Sequence, residues 1–353
     1  MNMSVTPDPA RVVLALDVHG GDFGPEVTIP AALDVLLAQP DLEILLCGIR
    51  EEIKPTLKKL EAEGGFNNCL DRVGFVDASH TLAPDARPVA ALRRGRGSSL
   101  WLALEQVANG RASACVSAGS TAALLALGVR LLGLLTGIER PALMSRIPSA
   151  SGHTSLLDLG ANLHVSANQL VQFAIMGSVA CSKDTLPEPP KVALLNVGHE
   201  DSKGDSVVRE AHAMLSELPI NYIGFIEGHD IFAGNADVAV CDGFSGNLIL
   251  KSAEGLAMMF FRHFELATRT GLRAKMGAML AGKTLQRMLE RFEPSKHNGA
   301  PLLGLRGVVV KSHGNADRTA MGHAILEAVR EAERRIPELI ESMITEYSIE
   351  VGL

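Results

Sequence analysis

Short apolar runs alternate with helical patterns along nearly the whole chain, and this alternation predicts an α/β protein built on an open sheet. Two further observations agree. Several apolar runs close in Gly/Ser/Asn/Asp turns that lead into a helix, the loop style of α/β proteins that hold ligands at strand ends. The composition, 47% hydrophobic and 21% charged, is that of a chain able to bury a core. At 353 residues it can form one large domain or two ordinary ones.

Val12 to Leu16 reads as the first strand; a His19-Gly20-Gly21 loop and a helix through Leu37 follow. Leu42 to Cys47 and Val73 to Val76 are the next strands, with a helix from Glu51 to Glu61 between them. After a loop comes the basic run Arg93-Arg94-Gly95-Arg96, then a helix from Leu100. Ala114 to Val116 is a short strand ending in Ser117-Ala118-Gly119-Ser120-Thr121, where hydroxyls gather at a helix start beyond what one cap requires. Leu156 to Leu159 forms a strand closed by a turn with Asn162, and Ser166 starts a helix. Thr185 to Pro190 is the halfway connector, with possible halves at 11–184 and 191–347. Val192 to Leu195 leads into a turn with Asn196 and Lys203; Ile220 to Ile226 is another strand. Val308 to Val310 leads into Lys311-Ser312-His313-Gly314 and a long helix from Asp317.

The most informative stretch is Gly234 to Gly255. Ala236 to Cys241 is a buried strand, Asp242-Gly243-Phe244-Ser245-Gly246-Asn247 a turn, and Leu248 starts a helix with Lys251 one turn in. A helix N-terminus presents free N–H groups and a positive dipole end, which together favour an anion. The plainer alternative is a βα turn in which Asp242 caps the helix. Brought together at the sheet's carboxyl edge, these turns predict one crevice for a small oxyanion, with Lys203, Lys251 and Lys311 as its cations.

Other classes are disfavoured. Aromatic content of 4% and a net charge of −7 argue against a nucleic-acid binder. The five cysteines form no CxxC and read as reduced thiols of a cytoplasmic protein. The GxGxxG fingerprint, the Walker lysine loop and metal-ligand spacing among the histidines are missing, so neither cofactor nor metal is expected. Arg130 interrupts the longest apolar run, Ala122 to Leu135, which falls short of a roughly 20-residue membrane span. One region breaks the pattern: residues 262–300 read as two short basic amphipathic helices hinged near Gly282, carrying Arg273, Lys275, Met276 and Met279. Such a surface suits anionic lipid, an acidic protein or a second subunit.

The blocks LALDVHGGDFGPE (14–26), ACVSAGSTAALL (114–125), LLDLGANLHVSANQLVQFAIMGSV (156–179), ADVAVCDGFSGNLILKSAEG (236–255) and GVVVKSHGNAD (307–317) resemble those of the bacterial phosphate acyltransferases of phospholipid synthesis, the PlsX family. His19 and Ser120 depart from the Met and Asn usual there. The resemblance implies a single domain over 11–347, a three-layer αβα sandwich similar to the isocitrate and isopropylmalate dehydrogenases and to phosphotransacetylases. It implies transfer of a long-chain acyl group from acyl carrier protein to inorganic phosphate, a homodimer, and peripheral contact with the membrane's inner face. Rival expectations are a phosphotransacetylase acting on acyl-CoA and an inactive membrane-associated scaffold.

On that chemistry, phosphate is expected at Ser117, Gly119, Ser120 and Thr121, faced by Gly243, Gly246 and Asn247, with Asn162, Asn196, Lys251 and Lys311 nearby. Lys203, Asn247, Asp242 and His313 are the expected catalytic set, His313 as acid for the departing thiol. Arg93, Arg94 and Arg96, or the 262–300 region, are expected to meet the carrier protein.

Overall fold

A computed structural model describes residues 11–66, 68–182, 188–269 and 298–351. Among these, one sheet of eleven strands runs through the molecule in the order β3-β2-β1-β4-β11-β10-β5-β6-β9-β7-β8. In chain order the strands are β1 Val12–Asp17, β2 Leu42–Gly48, β3 Val73–Asp77, β4 Ala114–Ser117, β5 Ala142–Ser149, β6 Gly152–Leu157, β7 Val192–Leu195, β8 Tyr222–Ile226, β9 Val238–Val240, β10 Ala300–Leu303 and β11 Val308–Lys311.

The sheet is mixed. β3, β2, β1, β4 and β11 form one parallel block, and β6, β9, β7 and β8 form another. Between them β10 and β5 each pair antiparallel to both neighbours, so the two blocks point in opposite directions. A single carboxyl edge lined by every turn, as the sequence predicts, is therefore replaced by two edges meeting at a central seam. Neither seam strand is read from the sequence. Arg146 and Pro148 interrupt the apolar pattern of β5, and Pro148 is tolerated because β10 pairs only with Ala142 and Leu143 at the strand's other end. The connection after residue 181 joins two elements of the second block, and among the described residues the strands return through the seam strand β10 to the first block with β11.

Helices cover both faces, which makes three layers. Strand alternation sends Leu14 and Leu16 of β1 to one face and Val13 and Ala15 to the other. On the first face α1 (Pro25–Ala38), α2 (Arg50–Glu63) and α10 (Arg318–Glu333) bury Ile29, Ile53 and Ile325 against the first block. Over the second block α6 (Ala167–Cys181), α7 (Ser206–Ser216) and α11 (Ile336–Val351) bury Phe173, Leu215 and Ile340. The opposite face carries α3 (Pro88–Arg94), α4 (Ser99–Ala108), α5 (Thr121–Leu132) and α8 (Gly228–Ala233), whose core of Leu104, Leu124 and Ile231 is continuous across both blocks. Helix α9 (Gly243–Arg269) starts five residues before the sequence pattern suggests. Arg273, Lys275, Met276 and Met279 lie outside the described residues, as does most of the 262–300 hairpin.

Candidate functional site

At the seam, on the sheet face between α5 and α9, lies a cavity of about 210 Å³. Both blocks contribute. Thr121 comes from the start of α5, Ser145 from β5, Gly160 from the loop after β6, Asn247 and Lys251 from α9, and Lys311 and His313 from the end of β11.

Lys311 supplies the cation closest to the sheet. Its Nζ donates to the carbonyls of Ala118, at 3.3 Å, and Ser312. Burial, reinforced by the Lys251 charge, pulls its pKa down from 10.5 to about 8, against the opposing pull of Asp17 and Asp22. The amine thus stays mostly charged near neutrality while losing much of its hydration. Lys251 is more exposed and pairs with Glu254 at 2.8 Å, a surface bridge that an incoming anion can outcompete. Glu254 also lies 4.0 Å from His313 Nε2. Burial and the two lysines hold the His313 imidazole below its ordinary pKa, against the pull of Glu254, so neutral imidazole is favoured near pH 7.

The 311–313 turn is held by Asn298, a residue the sequence reading missed. Its Oδ1 accepts from the His313 N–H at 3.0 Å, and its Nδ2 donates to Ser312 Oγ and to the Ala320 carbonyl, each at 2.8 Å. The Asn298-Gly299 pair is itself a turn signal. Gly299 is at φ +109°, and a Cβ there would come within 2.9 Å of Ala324. Glu254 and Ser145 were also missed, since neither sits in a strand-end turn.

The hydroxyl-rich turn after β4 divides its labour. Ser117 Oγ donates to Asp17 Oδ2 at 2.7 Å and accepts the Gly119 N–H at 3.0 Å. Asp17 is buried, and burial raises its carboxyl pKa against the hydrogen bonds from Ser99 and Ser117. Ser120 Oγ accepts the Ala123 N–H as the cap of α5 and donates to the Ala86 carbonyl. Asn in place of Ser120 would cap equally well, so that departure from the family pattern keeps the helix start intact. Thr121 alone of this turn lines the cavity.

The turn after β9 behaves similarly. Asp242 accepts from the Ser245 N–H at 2.7 Å and the Ser245 hydroxyl at 2.9 Å, and so caps α9. A Cβ on Gly246 would fall 1.8 Å from the Asp158 carbonyl oxygen, and one on Gly243 would fall 2.6 Å from that of Asn162. These glycines let the helix start press against the loop after β6. The Asn162 side chain donates to the Pro141 carbonyl and to Asp158, holding that loop.

Asn196 and Asp242 line a second cavity, of about 460 Å³, at the carboxyl ends of β7 and β9. Lys203 is exposed and lines neither cavity; its carbonyl accepts from Asn196 Nδ2 at 3.3 Å. Arg93, Arg94 and Arg96 are exposed, and the first two sit in the last turn of α3, where cations suit the helix dipole.

Two opposed parallel blocks with a cavity over their antiparallel seam define the class as an α/β enzyme of the phosphotransacetylase fold. A phosphotransacetylase from Streptococcus pyogenes superposes with a TM-score of 0.60 at 19% identity, covering 92% of this chain and 95% of that one. A branched-chain phosphotransacylase from Enterococcus faecalis V583 gives 0.54 at 15% identity over 90% and 99%. A 4-hydroxythreonine-4-phosphate dehydrogenase from Klebsiella pneumoniae gives 0.53 at 14% over 92% and 98%; at such identities the likeness is one of fold. The sequence is more specific. The chain belongs to the family described as "Fatty acid synthesis protein", which it matches over residues 12–339. A phosphate acyltransferase of Shewanella baltica is 45% identical over 344 residues, covering 97% of this chain and 99% of its own, and that of Shewanella woodyi is 44% identical over 343.

Proposed function

We propose that this chain transfers a long-chain acyl group from the thioester of acyl carrier protein to inorganic phosphate, giving acyl phosphate for phospholipid synthesis. Membership of the family and the phosphate acyltransferase relatives support acyl transfer to phosphate. The observation that carries the site assignment is the half-buried Lys311 in the seam cavity, beside Lys251, the Thr121 hydroxyl and the Asn247 amide.

Hydrogen phosphate rests against Lys311 and Lys251, with Thr121 and Asn247 fixing its orientation. One phosphate oxygen bonds to the thioester carbonyl carbon while the carbonyl oxygen takes up negative charge. Lysines in a partly dry cavity stabilise that charge more than water does. The carbon–sulfur bond then breaks, and the thiolate takes the proton that hydrogen phosphate brought. His313, neutral near pH 7, can accept this proton and pass it on. Lys203 and Asp242, part of the catalytic set expected from sequence, have no part in these steps.

The acidic carrier protein docks on Arg93, Arg94 and Arg96. The outward face of α9, with Met258 at 62% and Phe260 at 64% exposed, is the contact for a lipid surface or a second copy of the chain. No helix among the described residues is long and apolar enough to cross a membrane.

Hydroxylamine trapping tests the reaction. Long-chain acyl carrier protein plus phosphate should give acyl hydroxamate in proportion to thiol released. Turnover of acetyl-CoA alone would favour the phosphotransacetylase reading, and phosphate binding without acyl phosphate would favour the scaffold.

A further inference from the structure

We infer that the cavity beyond α9 receives the hydrocarbon tail of the acyl group, an inference that rests on the acyl-transfer reading above. Its volume of about 460 Å³ lies within the roughly 300–1,000 Å³ of small-molecule sites. Part of its wall is aliphatic: Leu163 and Val165 lead into α6, Leu194 lies in β7 and Val197 in the turn after it, and Val207 and Val208 open α7. Three polar groups in the same wall are paired within the protein, and His164 beside them is exposed. Asp205 accepts the Val208 N–H at 2.8 Å, Asp242 is held by Ser245, and Asn196 donates to the Lys203 carbonyl. A methylene chain lying on the aliphatic part displaces water from apolar surface and leaves those protein hydrogen bonds in place.

Position ties this cavity to the phosphate site. The loop after β6 contributes Gly160 to the seam cavity and Leu163 to this one, and the first turns of α9 contribute Asn247 to the former and Ser245 to the latter. The divider between them is the loop after β6 packed on the start of α9, where a Cβ on Gly160 would stand 3.5 Å from that of Asn247. On this reading a thioester carbonyl held at Lys311 sends its tail over this shared wall. Leu163 and Val197, which help form the wall, are 61% and 78% exposed, an apolar surface that a hydrocarbon tail would cover. On this geometry the side chains at 197 and 208 set the acyl length the enzyme accepts.

Calorimetric titration with n-alkyl phosphonates, from butyl to hexadecyl, tests the inference without requiring turnover. For the unaltered protein, affinity should rise about fourfold per methylene until the cavity is full, then level off. Val208→Phe should move the plateau to shorter chains and weaken hexadecyl phosphonate at least tenfold relative to butyl phosphonate. Val197→Trp, at an exposed position where folding is not at risk, should lower the same ratio. Affinity independent of length, or both variants keeping the unaltered ratio, overturns the inference. A switch in oligomeric state on Val197→Trp with the length series unchanged also overturns it, and makes this surface a subunit contact. Failure of the hydroxylamine assay with every donor would remove the acyl-transfer reading, while the phosphonate series still reports on the cavity.

Discussion

The starts of α5 and α9 are built from the same plan and used differently from what their residues advertise. Each follows a short buried strand, each carries polar groups around glycine, and each aims a helix N-terminus toward the seam. At α5 the serines are consumed: one pins Asp17 and the other caps the helix, and Thr121 reaches the cavity. At α9 the carboxylate caps and the glycines allow close packing, while Asn247 and Lys251, further into the helix, reach the cavity. Polar residues before a helix start satisfy the backbone first; those at or past its first turn are free for a ligand.

The largest test of this division is Lys311, which belongs to neither helix. Lys311→Met should cut kcat/KM for phosphate by about a hundredfold, the scale of losing one oriented charge in a partly dry site. Because its amine titrates near 8, kcat/KM for phosphate in the unaltered enzyme should decline as pH rises through that value and the charge is lost. Lys311→Arg should push this decline to higher pH, and a decline that stays in place would assign it to another group.

Next in size is the close approach at α9. Gly246→Ala should destabilise by about 3 kcal/mol, because the helix start cannot retreat from the Asp158 carbonyl. Gly255→Ala, on the same helix with nothing within 4 Å, should stabilise by about 0.5–1 kcal/mol. Equal effects in urea denaturation would mean that Gly246 is there for the ligand rather than for packing. The smallest effect separates Ser120 from Thr121. Ser120→Ala should cost about 1 kcal/mol of stability with little change in the KM for phosphate. Thr121→Ala should raise that KM severalfold and leave the denaturation midpoint nearly in place. Reversed results would return the anion to the serines.

Much of this was legible in the chain. Strands such as Val192–Leu195 and helix starts at Ser166 and Asp317 follow from apolar runs and capping residues. The seam was hidden because Arg146 and Pro148 give β5 no apolar signature, and with it went the opposed direction of the two blocks. Thr121, Asn247, Lys251, Lys311 and His313, which line the seam cavity, stood out in sequence because they lie in or just past strand-end turns. Ser117, Ser120 and Asp242 were chosen by the same signal, which does not reveal whether a polar side chain faces a ligand or its own backbone. Asn298 and Glu254 act from outside those turns, so only three-dimensional contact exposes them.

The late return of the chain governs how this enzyme can be assembled. Lys311 ends β11 and His313 follows it; β11 is registered against β4 on one side and β10 on the other, and β10 aligns in turn against Ala142 and Leu143. Any fragment that ends before residue 298 therefore lacks the amine and the imidazole, however well its own strands fold. A nascent chain should accordingly remain catalytically silent until synthesis is nearly finished, and complementation from two pieces should require that they rebuild the middle of the sheet together.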